Sequence, residues 1–242
     1  MSVLSDPSQA SDNWLKPTPY IDVNHNQIQS LATHLCTGRA DNTQKALVIF
    51  AFVRDEIKFG FAAGFWDNKA SDVLRSGIGY CNTKSTLFIA LLRAAGVPAR
   101  QVFVDINASV LSGILDPGTA FVDHSYTEVF LAGRWIATDA YIVDQRLFKP
   151  AKKRAISEGL LMGYSVHSTG VASWDGQRPA FSQYNMLDPR ALGTKVWGIY
   201  DDVGDFYARA PGTWNRLNAL LRAGIGVLAG SANRRADLIR QS

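Results

Sequence analysis

A cysteine set between a glycine turn and an apolar helix, with a histidine strand and then an aspartate strand downstream, constrains this chain more than any other feature. Residues 76–85 read Ser-Gly-Ile-Gly-Tyr-Cys-Asn-Thr-Lys-Ser. Leu87, Ala90, Leu91 and Ala94 recur at helical spacing behind Cys81 until Gly96 and Pro98 stop the run. Cys81 therefore opens a helix, where free backbone N–H groups and the positive end of the dipole favour thiolate. Downstream, residues 124–131 and 134–140 flank Ala132-Gly133 and alternate like a hairpin. The fold-back brings His124 and Asp139 to the same open end.

The surrounding chain supplies a core for that arrangement. Residues 1–20 carry three prolines and several small polar residues, the pattern of an irregular arm wrapping the domain. Ile28, Leu31, Ala32 and Leu35 make one helix face within 24–36, and Asp41 with Gln44 reads as a capping box for a second helix. That helix, 46–57, is apolar almost all round and is expected in the core. Residues 101–106 alternate like a strand, 107–122 read as a loop, and the Lys152-Lys153-Arg154 stretch reads as helix. With 242 residues, 47% of them hydrophobic, one domain is expected: a core of about 24–144 and a C-terminal extension, 145–242, shaping the substrate cleft.

Several classes of function are disfavoured. No run reaches the roughly 18 apolar residues of a membrane span, and Met1–Pro7 has neither a basic opening nor an apolar stretch, so a cytoplasmic protein with no membrane partner is expected. Cys36 and Cys81 are too few for a disulfide scaffold; Cys36 falls in a helical pattern and reads as core. His25, His34 and His167 lack the spacing of zinc ligands, so neither metal nor cofactor is expected. Residues 211–242 hold Arg216, Arg222, Arg234, Arg235 and Arg240 against Asp237, which accounts for the whole net charge of +4. This reads as a solvated arginine face rather than a nucleic-acid site.

The spacing points to acyl transfer through a thioester on Cys81. His124 holds the thiol proton as imidazolium and later delivers it to the leaving group, and Asp139 fixes the ring from behind. Asp105, Asp123 and Asp144 remain alternatives for the third position. The Cys81 backbone N–H is one oxyanion donor, and Trp66 and Asn82 are candidates for the second. Glu128 shares the His124 face by even spacing and reads as half of a cross-strand ion pair. Trp174, Tyr184, Trp197, Tyr200, Phe206, Tyr207 and Trp214 either pack the C-terminal segment or line a substrate pocket, with packing preferred.

Four pieces in order resemble the transglutaminase-like superfamily: Asp72 to Cys81, the helix end Leu91 to Arg100, His124-Ser125-Tyr126-Thr127-Glu128-Val129, and Gly133 to Asp139. The lead-in Phe52 to Phe59 is similar too, so the likeness spans roughly residues 41 to 144. It implies an α+β, papain-like fold in which a cysteine-bearing helix faces histidine and aspartate on an antiparallel sheet, with those roles on Cys81, His124 and Asp139. Tyr126 stands where the family often has tryptophan, and nothing marks a calcium site. Amide hydrolysis or transfer to an amine is the first expectation for the reaction, on a peptide, amide or small-molecule acyl substrate that a carrier protein can present. A biosynthetic cyclase or thioester-processing enzyme, and a catalytically silent peptide-binding module, are the alternatives. Oligomeric state is left open.

Overall fold

The computed structural model describes residues 12–185, 192–210 and 219–242. Helix α1 (Asn26–Cys36) is followed by α2 (Asn42–Glu56), the short strand β1 (Lys58–Phe59), α3 (Ala70–Ser76), β2 (Ile78–Gly79) and α4 (Cys81–Ala94). Then come β3 (Ala99–Asn107), β4 (Phe121–Leu131), β5 (Arg134–Thr138), α5 (Gln145–Ser157), β6 (Met162–Gly163), β7 (Val166–His167), β8 (Leu192–Tyr200), α6 (Val203–Arg209) and α7 (Ala219–Arg240). The architecture is α+β. A four-stranded sheet in the order β5-β4-β3-β8, antiparallel throughout, backs α4.

Helix α4 is the centre of the molecule, with every residue from Cys81 to Arg93 buried. Its stripe of Leu87, Ala90 and Leu91 is only part of the reason, because the polar residues on the other faces are buried as well. Helices α1, α2 and α3 pack around it on one side and β3 and β4 on the other. Hydrogen bonds pin the helix to the sheet. Gln101 Nε2 donates to Asn82 O (3.2 Å) and Ser125 Oγ (2.9 Å), and Ser85 Oγ and Thr127 Oγ1 both meet Tyr141 OH at 2.7 Å. Each of these buried hydroxyls gains a partner.

Helix α2 departs from the sequence expectation. Asp41 accepts from Gln44 N at 2.8 Å and starts the helix at Asn42, but only Ala46, Ile49, Phe50 and Val53 are buried. Its other apolar residues, Leu47, Val48 and Phe52, are half-buried, because α2 is an outer layer over α4 rather than the core itself. The 107–122 stretch contains a 3-10 turn at Ala108–Leu111. Helix α5 begins well before the lysine run, where Asp144 accepts from Leu147 N at 3.1 Å.

The hairpin forms as its sequence dictates. Ala132 (φ +49°) and Gly133 (φ +79°) turn the chain with positive φ at both central residues, the geometry that matches strand twist. Leu131 then pairs with Arg134 and Thr127 with Thr138. Arg100 and Glu128 face each other across β3 and β4 and form an ion pair at 2.7 Å.

Candidate functional site

Two glycines place Cys81. Gly77 ends α3 in the left-handed region at φ +65°, and a Cβ on Gly79 would sit 2.8 Å from Thr83 Oγ1 and 3.0 Å from the Lys84 stem. The turn thus packs directly onto the first turn of α4. Strand β2 pairs in parallel with β1, and this fixes the residues before Cys81 against Phe59. Cys81 is 8% exposed.

His124 and Asp139 meet. Continuing the β4–β5 register sets Asp139 opposite Tyr126, so its carboxylate reaches one diagonal step back to His124, with Nε2 to Oδ2 at 3.1 Å. Both residues are fully shielded from solvent. The other Asp139 oxygen accepts from the Ser182 backbone N–H and from Ser182 Oγ, the latter at 3.1 Å. Tyr184 packs edge-on against the imidazole with ring centroids 5.4 Å apart. His124 Nδ1 is buried without a hydrogen-bond partner.

Cys81 and His124 line the same narrow cleft, whose open volume is about 30 Å3. Phe59, Phe61, Phe65 and Tyr80 form one wall, and Val110, Leu111 and Leu115 stand among the aliphatic residues opposite. Helix α7 holds the aromatic wall. Asn233 bonds both the N–H (2.8 Å) and the C=O (2.9 Å) of Phe61, and Arg240 donates to Phe59 O at 2.7 Å.

The electrostatics differ from the expectation of a thiolate. Burial, and then the Asp123 carboxylate, push the Cys81 thiol well above its ordinary range, and the backbone N–H groups of Ser125 and Asn82 offset this only in part. The helix N-terminus does favour thiolate, but the missing water costs more. Cys81 Sγ donates instead to Asn82 Oδ1 at 3.5 Å.

The two oxyanion candidates occupy other roles. Asn82 is buried with both amide hydrogens committed, to Asp123 Oδ2 (3.1 Å) and Tyr207 OH (2.7 Å), so its side chain turns an acceptor towards the sulfur. Trp66 lies against Tyr207 at 4.6 Å between ring centroids and is not among the residues lining the cleft. Of the alternative acids, Asp105 accepts from Trp197 Nε1 at 2.7 Å, and Asp144 caps α5 and pairs with Arg240 at 2.6 Å. Asp123 accepts from Tyr207 OH at 2.6 Å.

Cys36 is half-buried against the core. His25 caps α1 by accepting from Gln27 N at 3.3 Å, His34 is exposed, and His167 is buried with Nδ1 accepting from Thr169 N. Among the described residues no group of acidic, histidine or cysteine side chains could hold a metal ion, and no helix is long and apolar enough to cross a membrane. The aromatic residues do not form one cluster. Trp174 packs on Phe50, Tyr184 on His124, and Trp197 and Tyr200 on Phe206, which stacks on Phe103 at 4.0 Å. The arginine face is not uniformly solvated: Arg234 is exposed, Arg235 donates to Ile114 O, and Arg240 is half-buried in its ion pair. Trp214 and Arg216, with the side chain of Arg222, fall outside the described residues. Ser182 was missed from sequence, and Tyr184 was read only as one of the C-terminal aromatic residues and not as a neighbour of His124, since nothing local ties either to a hairpin some forty residues earlier.

Residues 29–140 match the model of the transglutaminase-like superfamily. The segment is transglutaminase-like. An uncharacterised protein of Haemophilus influenzae is 26% identical over 182 aligned residues, 67% of this chain and 48% of the relative, so the chain spans about half the length of that protein. A solved structure from Cytophaga hutchinsonii, provisionally named a cysteine protease, is 24% identical, covers 51% of this chain and 39% of its own, and superposes with a TM-score of 0.41. A provisionally named protease from Parabacteroides distasonis is 16% identical, covers 53% and 24%, and has a TM-score of 0.36. The transglutaminase-like match runs from within α1 to just past the β4–β5 hairpin, so it includes Cys81, His124 and Asp139 and stops short of Ser182.

Proposed function

We propose that this transglutaminase-like chain is a cysteine enzyme of acyl transfer, with Cys81 as nucleophile, His124 as proton carrier and Asp139 as the group that orients the imidazole. One observation carries the reading. Asp139 holds Nε2 of His124, while Nδ1 has no partner in a residue that lines the same cleft as the Cys81 sulfur.

Because burial keeps Cys81 as a thiol, the proton moves during attack rather than before it. His124 Nδ1 takes the Sγ proton as sulfur bonds the acyl carbon, and the Cys81 backbone N–H stabilises the oxyanion that forms. The imidazolium returns its proton to the departing amine or thiol, leaving a thioester on Cys81. Water, an amine or an internal carbon nucleophile then takes the acyl group, which gives a hydrolase, an amide-forming transferase or a cyclase. Amide hydrolysis or transfer is the first expectation, and a carrier-bound thioester is the alternative donor.

A catalytically silent binding module is the second reading, and the low exposure and raised pKa of Cys81 favour it. Intact mass spectrometry after incubation with a panel of peptides, amides and thioesters separates the two. An acyl adduct present in the native chain, absent from Cys81→Ala and slowed at least roughly 100-fold in Asp139→Asn supports the enzyme. No adduct from any donor supports the silent module.

A further inference from the structure

The walls beside Cys81 are of one chemical kind. Phe65 stacks on Tyr80 at 4.8 Å and on Phe61 at 5.7 Å, and Phe61 meets Tyr80 at 5.3 Å. These rings form one continuous apolar plate. Facing it are Val110 and Leu111 of the 3-10 turn, and Leu115 beyond. Most polar groups at the cleft have work elsewhere: Asp123 accepts from Asn82 and Tyr207, Gln183 Nε2 donates to Ser165 O at 3.2 Å, and His124 Nε2 is held by Asp139, which leaves His124 Nδ1 and the Tyr80 hydroxyl without partners.

Size narrows the choice further. About 30 Å3 leaves room only for a short chain of a few heavy atoms, against the roughly 150 Å3 of a dry cavity that admits benzene. A polar group driven between these walls would lose its water, and the aliphatic side and the two phenylalanine rings offer no donor or acceptor to replace it. An anion would in addition approach the Asp123 carboxylate, which already disfavours negative charge on the neighbouring sulfur.

We propose that the space between the Phe61–Phe65–Tyr80 plate and the Val110–Leu111–Leu115 turn is the acyl subsite, and that it takes a short, uncharged aliphatic acyl group in preference to a carboxamide-bearing or anionic one. The inference rests on Cys81 being the acyl carrier. The bond from sulfur to the acyl carbon forms, the bond to the leaving thiol or amine breaks, and the leaving group departs with the proton that His124 took from Cys81. No further reactant is needed to reach the thioester.

The test uses the full chain and N-acetylcysteamine thioesters of butyrate, succinamate, succinate and octanoate, following thiol release and the mass of the acyl-enzyme. Butyryl is expected to exceed succinamoyl, succinyl and octanoyl by at least about tenfold in kcat/KM, the scale on which pocket contacts discriminate. Leu115→Ala widens the cleft from a half-buried position and is expected to raise the octanoyl-to-butyryl ratio about tenfold, with Val110→Ala as a second variant should the first lose its near-ultraviolet circular dichroism. Cys81-dependent turnover that favours succinamoyl or succinyl, or a chain-length ratio unmoved by either variant, overturns the subsite while leaving acyl transfer intact. Failure of every thioester to form a Cys81 adduct overturns the subsite, and acyl transfer falls with it when the peptides and amides leave no adduct either.

Discussion

Lys84 is fully buried one turn beyond Cys81, and replacing it with methionine should remove a defined slope from the stability of this protein with pH. Its Nζ donates to Ile57 O at 2.6 Å and Arg54 O at 3.3 Å, the carbonyl end of α2. Burial lowers its pKa from 10.5 to about 7; Asp144 and Asp55 resist the fall, and Arg240 and Arg54 assist it. Below pH 7 the folded and unfolded chains both carry the proton, and this residue contributes no slope. Between pH 7 and about 10 the unfolded chain holds a proton that the folded chain has released, so stability rises with pH by up to about 1.4 kcal/mol per pH unit. From pH 7 to pH 9 the native chain should therefore gain roughly 2 to 3 kcal/mol relative to Lys84→Met. Urea unfolding of both proteins at pH 6, 7, 8 and 9 measures the difference, in which every group common to the two cancels. Parallel curves from pH 7 to 9 would refute the reasoning, whatever the absolute stability of the variant.

Asp123→Asn keeps an oxygen for Tyr207 and removes the charge that, after burial, does most to raise the Cys81 thiol; alkylation by iodoacetamide near pH 8 should quicken several-fold, and an unchanged pH profile would count against that cause. Arg240→Met strands the Asp144 carboxylate, only 3% exposed, and should cost about 3 kcal/mol at pH 7 by urea unfolding. Burial alone would raise the Asp144 pKa, yet Arg240 and the Phe59 N–H hold it below its ordinary value. Its stabilisation is thus full above the ordinary carboxylate range and is lost as pH falls through the lowered pKa, so the native and Arg240→Met curves should converge towards pH 3.

Much of the frame was legible in the sequence because it is local. The stop at Gly96, the positive-φ Ala132-Gly133 turn and the Asp41 cap each act through a few neighbouring residues, and they place α4 and the β4–β5 hairpin with no knowledge of the rest. The order of Cys81, His124 and Asp139 along those elements was equally plain. What α2 buries was not legible, because an apolar helix reads alike whether one face or all faces meet a neighbour.

The sequence by itself determined the elements and the chemical kinds of side chain at their ends, since helix caps, turn φ angles and strand alternation depend on short spans of chain. Only the tertiary structure decided the state of the site. Ser182 behind Asp139, Asp123 beside the sulfur, and Asn233 and Arg240 holding the aromatic wall all come from distant segments. Their joint exclusion of water, a property of packing in three dimensions, keeps Cys81 a thiol despite its place at a helix N-terminus.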